Sequence, residues 1–273
     1  HTKVIIAQHS FGMPCNIPKI ASLCKKHGIF LVEDCAISFD SSINGVKVGN
    51  WGDAAIFSTD HSKPLNTVIG GLFYTKDKNL YESVRAYQDT IFCLDKAHQK
   101  RLYAQMLLER NYYPYERYQL LRNLNYIQRI KNKINCRKDT VFLEADYTSQ
   151  TLNCAYPYPA KMPPFLAQLG IFELERWNDE KKHRKDLLEV YLNLSKESGL
   201  SQFLPGAYGN KNMDIIPLRF TFCHPFSPKI LKYMDKYINT SWIWFRQPDI
   251  CCPQGPESLG YKYGSCPKAE NAG

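Results

Sequence analysis

The stretch VIIAQHSFGMPCNIPKIASLCKKHGIFLVED, residues 4–34, decides the fold. Its two ends, residues 4–7 and 29–32, are short apolar runs that predict buried strands. Between them the apolar residues recur with a helical period, while Asn16 favours a helix start and Gly28 marks a helix end. A strand, a helix and a second strand in this order predict a βαβ unit. We therefore expect an α/β fold built on a mostly parallel sheet.

Length and composition set the broad class. The chain has 273 residues, of which 44% are hydrophobic, and this is enough for one large α/β unit or for two domains. No apolar stretch approaches the roughly 18 residues that span a membrane, and no secretory pattern precedes the first strand. We therefore expect a cytoplasmic protein that does not bind membranes. The formal charge of +9 suits nucleic acid, an anionic substrate or a solvated surface, and does not choose between them.

The ten cysteines form no CxxC pair and show no regular spacing with histidine. This pattern argues against a zinc site, and we expect no metal in the protein. In a chain of this size without a secretion signal, we interpret the cysteines as small apolar residues that stay reduced.

A lysine follows another predicted strand. The apolar run at residues 54–57 is followed by the polar segment Ser58-Thr59-Asp60-His61-Ser62, which places Lys63 in the loop at the strand's end. Loops at this end of a strand hold the ligands of α/β proteins. On position alone, a solvated surface lysine is the simpler explanation.

Glu33 and Asp34 end the second strand of the βαβ unit, where ligand sites also lie. On spacing alone, a pair of turn-forming or helix-capping acids is the simpler explanation. A carboxylate, Ser58 and Lys63 at the ends of neighbouring strands are, however, the residue types that bind pyridoxal phosphate. A lysine amine joins the cofactor's aldehyde, an aspartate keeps its ring nitrogen protonated, and hydroxyls with backbone amides hold its phosphate. A desolvated cleft lowers the pKa of a lysine in the direction this chemistry requires.

Short motifs recur in a specific order and spacing, most densely over residues 4–75. The motifs are His9-x-x-Gly12, Glu33-Asp34-Cys35-Ala36, Gly45-x-Lys47-Val48-Gly49-x-x-Gly52-Asp53, Phe57-Ser58 with Lys63 five positions later, Gly70-Gly71, Lys161-Met162 with Ala167-x-Leu169-Gly170, Leu174-Glu175-Arg176, and Gly264-x-x-Pro267-x-Ala269-Glu270. In this order they resemble the DegT/StrS family of sugar aminotransferases.

The resemblance implies the type I aminotransferase-like fold of pyridoxal-phosphate-dependent transferases. It implies a large cofactor-binding domain over residues 1–160, with an incomplete mixed and mostly parallel sheet, and a smaller α+β domain over residues 161–273. Lys63 would be the Schiff-base lysine, Asp34 the partner of the pyridine nitrogen and Ser58 a phosphate ligand. Some relatives replace the lysine with histidine and are sugar dehydratases, so the retained lysine favours transamination over dehydration.

The implied activity moves an amino group from an amino acid to a nucleotide-linked keto-sugar, in amino-sugar or surface-polysaccharide biosynthesis. The implied assembly is a homodimer with shared active sites. The alternative is a catalytically inactive or truncated homologue with a scaffold role, because the family's Gly-Thr phosphate loop and aromatic ring-stacking residue are not found in this sequence. The start at His1, almost directly before a strand, and the end at Gly273 predict a piece cut from a longer chain.

Four positions depart from the family pattern. Ile37 stands where the family has a glutamine near the cofactor ring, and Ile69 stands where it has an acid before the paired glycines. Pro159 and Lys161 align with an asparagine and an arginine near the cofactor phosphate. These differences indicate an unusual substrate, weaker cofactor binding or a degenerate enzyme.

Residues 81–150 change in character, and residues 86–150 match the family poorly. Tyrosines alternate with arginines and lysines over residues 110–138, while leucines and isoleucines repeat at near-helical spacing. Interleaved aromatic and basic residues can bind RNA or single-stranded DNA. Because no RNA-binding motif accompanies them, we interpret this segment as a helical insertion of the large domain, with nucleic-acid binding as the lesser alternative.

The C-terminal part predicts further strands and helices. Apolar residues over 165–191 predict one long helical run. We interpret its charged part, residues 179–186, as a solvated helix face with no chemical role. Residues 214–222 predict a strand and Ser227 opens a predicted helix. Residues 242–245 fit a second strand.

Overall fold

The computed structural model describes residues 1–112, single positions between 117 and 131, residues 159–234, Tyr237 and residues 255–272. The chain divides into two compact units. The first unit comprises His1–Glu144, Pro157–Gly199 and Gly206–Phe220, and the second comprises Ala145–Tyr156, Leu200–Pro205 and Thr221–Gly273. All residues of the candidate site belong to the first unit. The division into a large domain over 1–160 and a small domain over 161–273 stays a prediction.

The described residues form two sheets and a set of helices. The strands are β1 (Val4–Gln8), β2 (Phe30–Asp34), β3 (Ser42–Ile43), β4 (Val46–Lys47), β5 (Ala54–Ser58), β6 (Gly71–Thr75) and β7 (Met213–Asp214). The helices are α1 (Ile17–His27), α2 (Lys78–Thr90), α3 (Lys96–Tyr112), α4 (Pro164–Glu175), α5 (Trp177–Glu197), α6 (Ser227–Met234) and α7 (Pro267–Ala272), with short 3-10 turns at Ser201–Phe203, Gly206–Gly209 and Pro256–Leu259.

The predicted βαβ unit is confirmed. Strands β1 and β2 are parallel, and helix α1 connects them. The helix ends at Gly28, whose left-handed φ of 61° suits glycine. Asn16 precedes the helix as expected, but its side chain makes no capping hydrogen bond.

The main sheet is mixed and mostly parallel, as predicted. Its strand order is β1-β2-β5-β6, with β1, β2 and β5 parallel and β6 antiparallel to β5. Helix α1 covers one face through Ile17 and Cys24, which pack with Ala7, Leu31 and Ile43. The carboxyl ends of β1, β2 and β5 therefore meet at one edge of the sheet.

The strand predicted over residues 214–222 is wrong for most of its length. Only Met213–Asp214 is a strand, paired with β3 in the small sheet β4-β3-β7. Residues 215–218, which follow, are buried but are not part of a strand, because their backbone groups bond elsewhere. The N–H of Ile216 donates to Ser41 Oγ at 2.9 Å, and the N–H of Leu218 donates to the carbonyl of Phe11 at 3.3 Å.

The predicted long helix over residues 165–191 is two helices, α4 and α5, which meet at Arg176. The helix expected from Ser227 is present as α6. Helices α2 and α3 show that the segment interpreted as an insertion begins as helix, and its being an insertion stays a prediction. The rest of the insertion, with most of the basic and aromatic residues of 110–138, and the strand predicted over 242–245 lie outside the described residues. Within the described ranges, no helix combines the length and hydrophobicity needed to cross a membrane.

Candidate active site

The ends of three neighbouring strands bring polar side chains together. Gln8 ends β1 opposite Asp34, which ends β2, and Asp34 in turn lies opposite Ile56 of β5. Ser58 follows two residues after Ile56, so side-chain alternation places it on the same face as Asp34 and Gln8. The structure thus brings the predicted residues Asp34 and Ser58 to one face of the sheet edge.

The carboxylate of Asp34 is held in place on both oxygens. Its Oδ1 accepts from the backbone N–H of Ala36 at 2.9 Å, and its Oδ2 accepts from Gln8 Nε2 at 3.0 Å. Gln8 was not found from the sequence, although a polar residue closing an apolar strand is a usable signal. Ile37 is 5% exposed and its side chain has no hydrogen-bonding group, so the side-chain amide that approaches Asp34 comes from Gln8 on the neighbouring strand instead.

Residues 59–70, here called the Lys63 loop, connect β5 to β6. Hydrogen bonds join the two ends of the loop. The N–H of Thr59 donates to the carbonyl of Gly70 at 3.0 Å, and Thr67 Oγ1 donates to Thr59 Oγ1 at 2.6 Å. Gly70 has φ 146°, and a Cβ on it would lie 2.2 Å from Met162 Cε. Only glycine fits there, which explains half of the paired-glycine motif.

Two buried side chains anchor the loop on either side of its base. Leu65 packs with Trp177 and Ile216, and Val68 packs in a separate cluster. The other members of the Val68 cluster are Leu94, Leu102 and Leu166. The second half of the Lys63 loop is therefore anchored at two positions, Leu65 and Val68.

A turn at Asp60 presents Lys63. The N–H of Ser62 donates to Asp60 Oδ1 at 2.9 Å, and the N–H of Lys63 donates to the Asp60 carbonyl at 2.8 Å. The N–H of Asp60 itself faces Ser58 Oγ at 3.4 Å. Lys63 is half-buried, so it is not the solvated surface lysine that its position alone suggested.

The pKa of Lys63 lies below that of an ordinary lysine. Burial is the main cause, and the positive charge of Arg219 lowers the pKa further, whereas the charges of Asp60 and Asp34 raise it. These couplings place Lys63 in one electrostatic environment with Asp34 and Arg219. A lowered pKa increases the fraction of neutral amine, which is the nucleophilic form.

Arg219 was also not found from the sequence. It follows the buried run 215–218, and burial lowers its own pKa. Helix α5 fixes this segment, because Arg184 Nη1 donates to the carbonyls of Pro217 at 3.1 Å and Leu218 at 3.4 Å. The interpretation of residues 179–186 as a solvated face is therefore wrong for Arg184. The sequence signal that could have identified Arg219 is its position as a single cation directly after an apolar run.

Glu33 is fully buried and binds the loop that follows the β3–β4 hairpin. Its Oε1 accepts from the N–H groups of Trp51 and Gly52, both at 2.7 Å, and its Oε2 accepts from the N–H of Gly49 at 2.8 Å. Nε2 of His9 lies 3.1 Å from the same Oε2. Burial alone would raise the pKa of Glu33, but these hydrogen bonds outweigh it and hold the pKa below its usual value. Glu33 thus has the turn-binding role that its spacing suggested.

His9, Glu33 and Cys35 form a compact buried cluster whose potential ligand atoms lie within 4.8 Å of one another. Two observations argue for hydrogen bonding rather than metal binding. Both Glu33 oxygens already accept hydrogen bonds. Burial raises the pKa of the Cys35 thiol, which disfavours the thiolate that a metal requires.

Two further departures from the family pattern, Ile69 and Lys161, have structural partners. Ile69 packs with the cluster around Val68 and supplies no charge. Lys161 Nζ donates to the carbonyl of Asp89 at 3.1 Å and so binds the end of helix α2.

Comparisons with known proteins bear on the same part of the chain. Residues 1–117 match the DegT/DnrJ/EryC1/StrS aminotransferase family. The GDP-perosamine synthase of Escherichia coli O157:H7 is 41% identical over 81 residues, which are 30% of this chain and 22% of the relative. The UDP-N-acetyl-3-dehydro-alpha-D-glucosamine 3-aminotransferase of Acidithiobacillus ferrooxidans is 39% identical over 89 residues, which are 32% of this chain and 24% of the relative. The chain thus spans less than a quarter of the length of these curated relatives.

The fold has a broader counterpart among solved structures. The aminotransferase TlmJ from Streptoalloteichus hindustanus superposes with a TM-score of 0.60 at 20% identity, over 99% of this chain and 58% of that structure. This likeness confirms the predicted aminotransferase-like α/β fold class.

Proposed function

We propose that this protein is a pyridoxal-phosphate-dependent aminotransferase, because residues 1–117 match the DegT/DnrJ/EryC1/StrS aminotransferase family. Its substrates would be an amino-acid donor and a nucleotide-linked keto-sugar. The observation that carries the proposal is the half-buried Lys63, whose pKa is lowered and which shares one electrostatic environment with Asp34.

The described residues fit three groups of the cofactor: its aldehyde, its ring nitrogen and its phosphate. Pyridoxal phosphate supplies an aldehyde that an amine can capture and a protonated ring that withdraws electrons. Lys63 Nζ would bond to the aldehyde carbon with release of water, and, once the donor's amine displaces it, the freed Lys63 amine would accept the proton from the donor's α-carbon. Asp34, fixed by Ala36 and Gln8, would hold the proton on the ring nitrogen, and Ser58 would bind the phosphate.

The substrate class rests on the printed functions of relatives. Two of them, named above, act on sugars linked to GDP or UDP according to their names. This supports a nucleotide-linked sugar for the present chain and a role in amino-sugar or surface-polysaccharide biosynthesis. The homodimer and the cytoplasmic location implied by the family resemblance stay predictions.

A second candidate is an inactive homologue that keeps the scaffold. Ile37, 5% exposed, and the apolar Ile69 favour it, because these side chains cannot replace the polar groups expected there. Both candidates share the fold and differ in whether Lys63 reacts.

Trapping the cofactor tests the proposal. The protein is incubated with pyridoxal phosphate, reduced with borohydride, digested and analysed by mass spectrometry. We expect the reduced adduct on the peptide that contains Lys63, its loss in Lys63→Ala, and its retention in Lys76→Ala, where the lysine lies at the other end of the sheet next to Asn50. An adduct spread over surface lysines, with none enriched at Lys63, would favour the inactive homologue.

A further inference from the structure

Helix α3 turns a polar stripe towards the Lys63 loop. Glu109 is 6% exposed and Gln105 is 7% exposed, so both are buried on the same face of the helix as the fully buried Leu102. Charged and amide side chains are rarely this buried unless hydrogen bonds compensate them.

The carboxylate of Glu109 joins the helix to the loop. Its Oε1 accepts from Gln105 Nε2 at 2.9 Å, and its Oε2 accepts from Asn66 Nδ2 at 3.3 Å. Asn66 Oδ1 in turn accepts from the N–H of Val68 at 2.7 Å. A chain of three hydrogen bonds therefore runs from α3 to the backbone of Val68.

Val68 has an unfavourable backbone conformation. Its φ is 67°, in the left-handed region that β-branched residues avoid. Such a conformation persists only where the surroundings impose it. The surroundings here are the hydrogen bond that the Val68 N–H donates to Asn66 Oδ1 and the burial of the Val68 side chain, which is 4% exposed.

The backbone of Val68 is hydrogen-bonded to the turn that carries Lys63. The N–H of His61, two residues before Lys63, donates to the carbonyl of Val68 at 3.0 Å. A change at Val68 would therefore weaken one of the hydrogen bonds that hold the turn presenting Lys63.

Apolar side chains do not fill the space between the Lys63 loop and helix α3. A cavity of about 180 Å³ lies between the loop and helices α3 and α4, lined by Asn66, Val68, Met106, Glu109, Leu169 and Glu173. Across the cavity, the hydrogen bond between Asn66 and Glu109 is a direct link.

We propose that Glu109 is a positioning residue of the active site. Through Asn66 it holds Val68 in the left-handed conformation and so fixes the Lys63 loop. Lys63 then stays half-buried, which keeps its amine more neutral than that of an exposed lysine. The importance of this effect for catalysis rests on the proposed function, but the effect itself does not require the cofactor.

Competitive acetylation followed by mass spectrometry measures the pH profile of each lysine amine without cofactor. In Glu109→Ala we expect the Lys63 profile to move to higher pH, because the released loop lets the amine reach water. A rise of one pH unit would lower the neutral amine at pH 7 about tenfold. Asn66→Ala breaks the same link from the loop side and should act in the same direction.

Glu173→Gln is the matched control. Glu173 lines the same cavity but pairs with Arg110 and Arg176 instead of the loop, so its replacement should leave the Lys63 profile unchanged. Circular dichroism identifies variants that fail to fold. If Glu109→Ala fails to fold, the Lys63 profile of Asn66→Ala alone tests the proposal.

A swap of two residues separates positioning from bulk stability. In Gln105→Glu combined with Glu109→Gln, the new amide can donate to residue 105 and still accept from Asn66, so the link is rebuilt. We expect this double variant to restore the wild-type Lys63 profile. A folded Glu109→Ala or Asn66→Ala with an unchanged profile would overturn the proposal. Failure of cofactor trapping in the wild type would instead affect only the proposed function.

Discussion

Charges around the Lys63 amine act in opposite directions. Burial lowers its pKa most, Arg219 lowers it further, and Asp60 and Asp34 raise it. At this scale the side chains that matter come from distant parts of the chain, since Arg219 lies more than 150 residues beyond Lys63. The pH at which Lys63 captures an aldehyde should therefore respond to each charge with a definite sign.

Replacing Arg219 with glutamine should move the reaction of Lys63 to higher pH. The substitution removes a positive charge that disfavours the lysinium ion, so the pKa of Lys63 rises. The measurement is the pH dependence of borohydride-trapped cofactor on Lys63. Asp60→Asn should shift the same curve to lower pH, and the exposed Arg85→Gln should not shift it. A shift of the same sign in the Arg219 and Asp60 variants would contradict this account.

Among the structural elements, the loop at residues 49–52 depends on one carboxylate. Glu33 accepts three backbone hydrogen bonds from this loop, and each is shorter than 2.9 Å. Its neighbour Asp34 faces the candidate site, so adjacent residues of β2 serve the loop and the site separately. Alternation along a strand explains this division.

Glu33→Gln should destabilise the protein by about 3 kcal/mol, because the amide leaves buried N–H groups without an acceptor. The measurement is the free energy of unfolding in urea. Glu82→Gln is the control, since Glu82 forms only an exposed pair with Lys78 at 3.7 Å, and such pairs are worth about 0.5 kcal/mol or less. Equal losses in the two variants would show that the Glu33 hydrogen bonds are not a special source of stability.

At the scale of the whole molecule, Asp40 connects segments that are far apart in sequence. Its Oδ2 accepts from Trp177 Nε1 at 2.9 Å and from Lys181 Nζ at 2.8 Å, and its Oδ1 pairs with Lys47. Helix α5 is thereby tied to the hairpin and to the loop after β2. Burial would raise the pKa of Asp40, but the bonds from Lys181, Lys47 and Trp177 hold it below its usual value.

This carboxylate should make stability depend on pH. A lowered pKa in the folded state contributes stability that is fully present above the pKa of the unfolded chain, about 4. The contribution is lost as the pH falls through the lower folded value. Asp40→Asn should therefore reduce the free energy of unfolding at pH 7 by about 2 kcal/mol and flatten its decline below pH 4. Urea unfolding from pH 7 to pH 2.5 measures both effects.

The control for this prediction is Asp89→Asn. Asp89 is largely exposed and 4.0 Å from Lys161, so its replacement should leave the acid dependence of stability nearly unchanged. An Asp40→Asn curve parallel to that of the wild type would exclude Asp40 as a source of acid sensitivity.

Local chemistry along the sequence was sufficient to predict the βαβ unit of residues 4–34. The apolar runs, the helical period of residues 17–27 and the glycine at 28 act over short distances, so the βαβ unit could be predicted. The same holds for the placement of Asp34, Ser58 and Lys63 at strand ends, because parallel strands end at a common edge. Their roles with a cofactor stay predictions.

Only the tertiary structure decided which distant side chains surround that edge. Gln8 reaches Asp34 from a neighbouring strand, and Arg184 fixes the segment that brings Arg219 near Lys63. Glu109 meets Asn66 across 43 residues. These contacts depend on packing between elements, which no local periodicity encodes. The sequence by itself therefore determined the strand-end lysine and carboxylate, whereas long-range packing set the charge and burial around them.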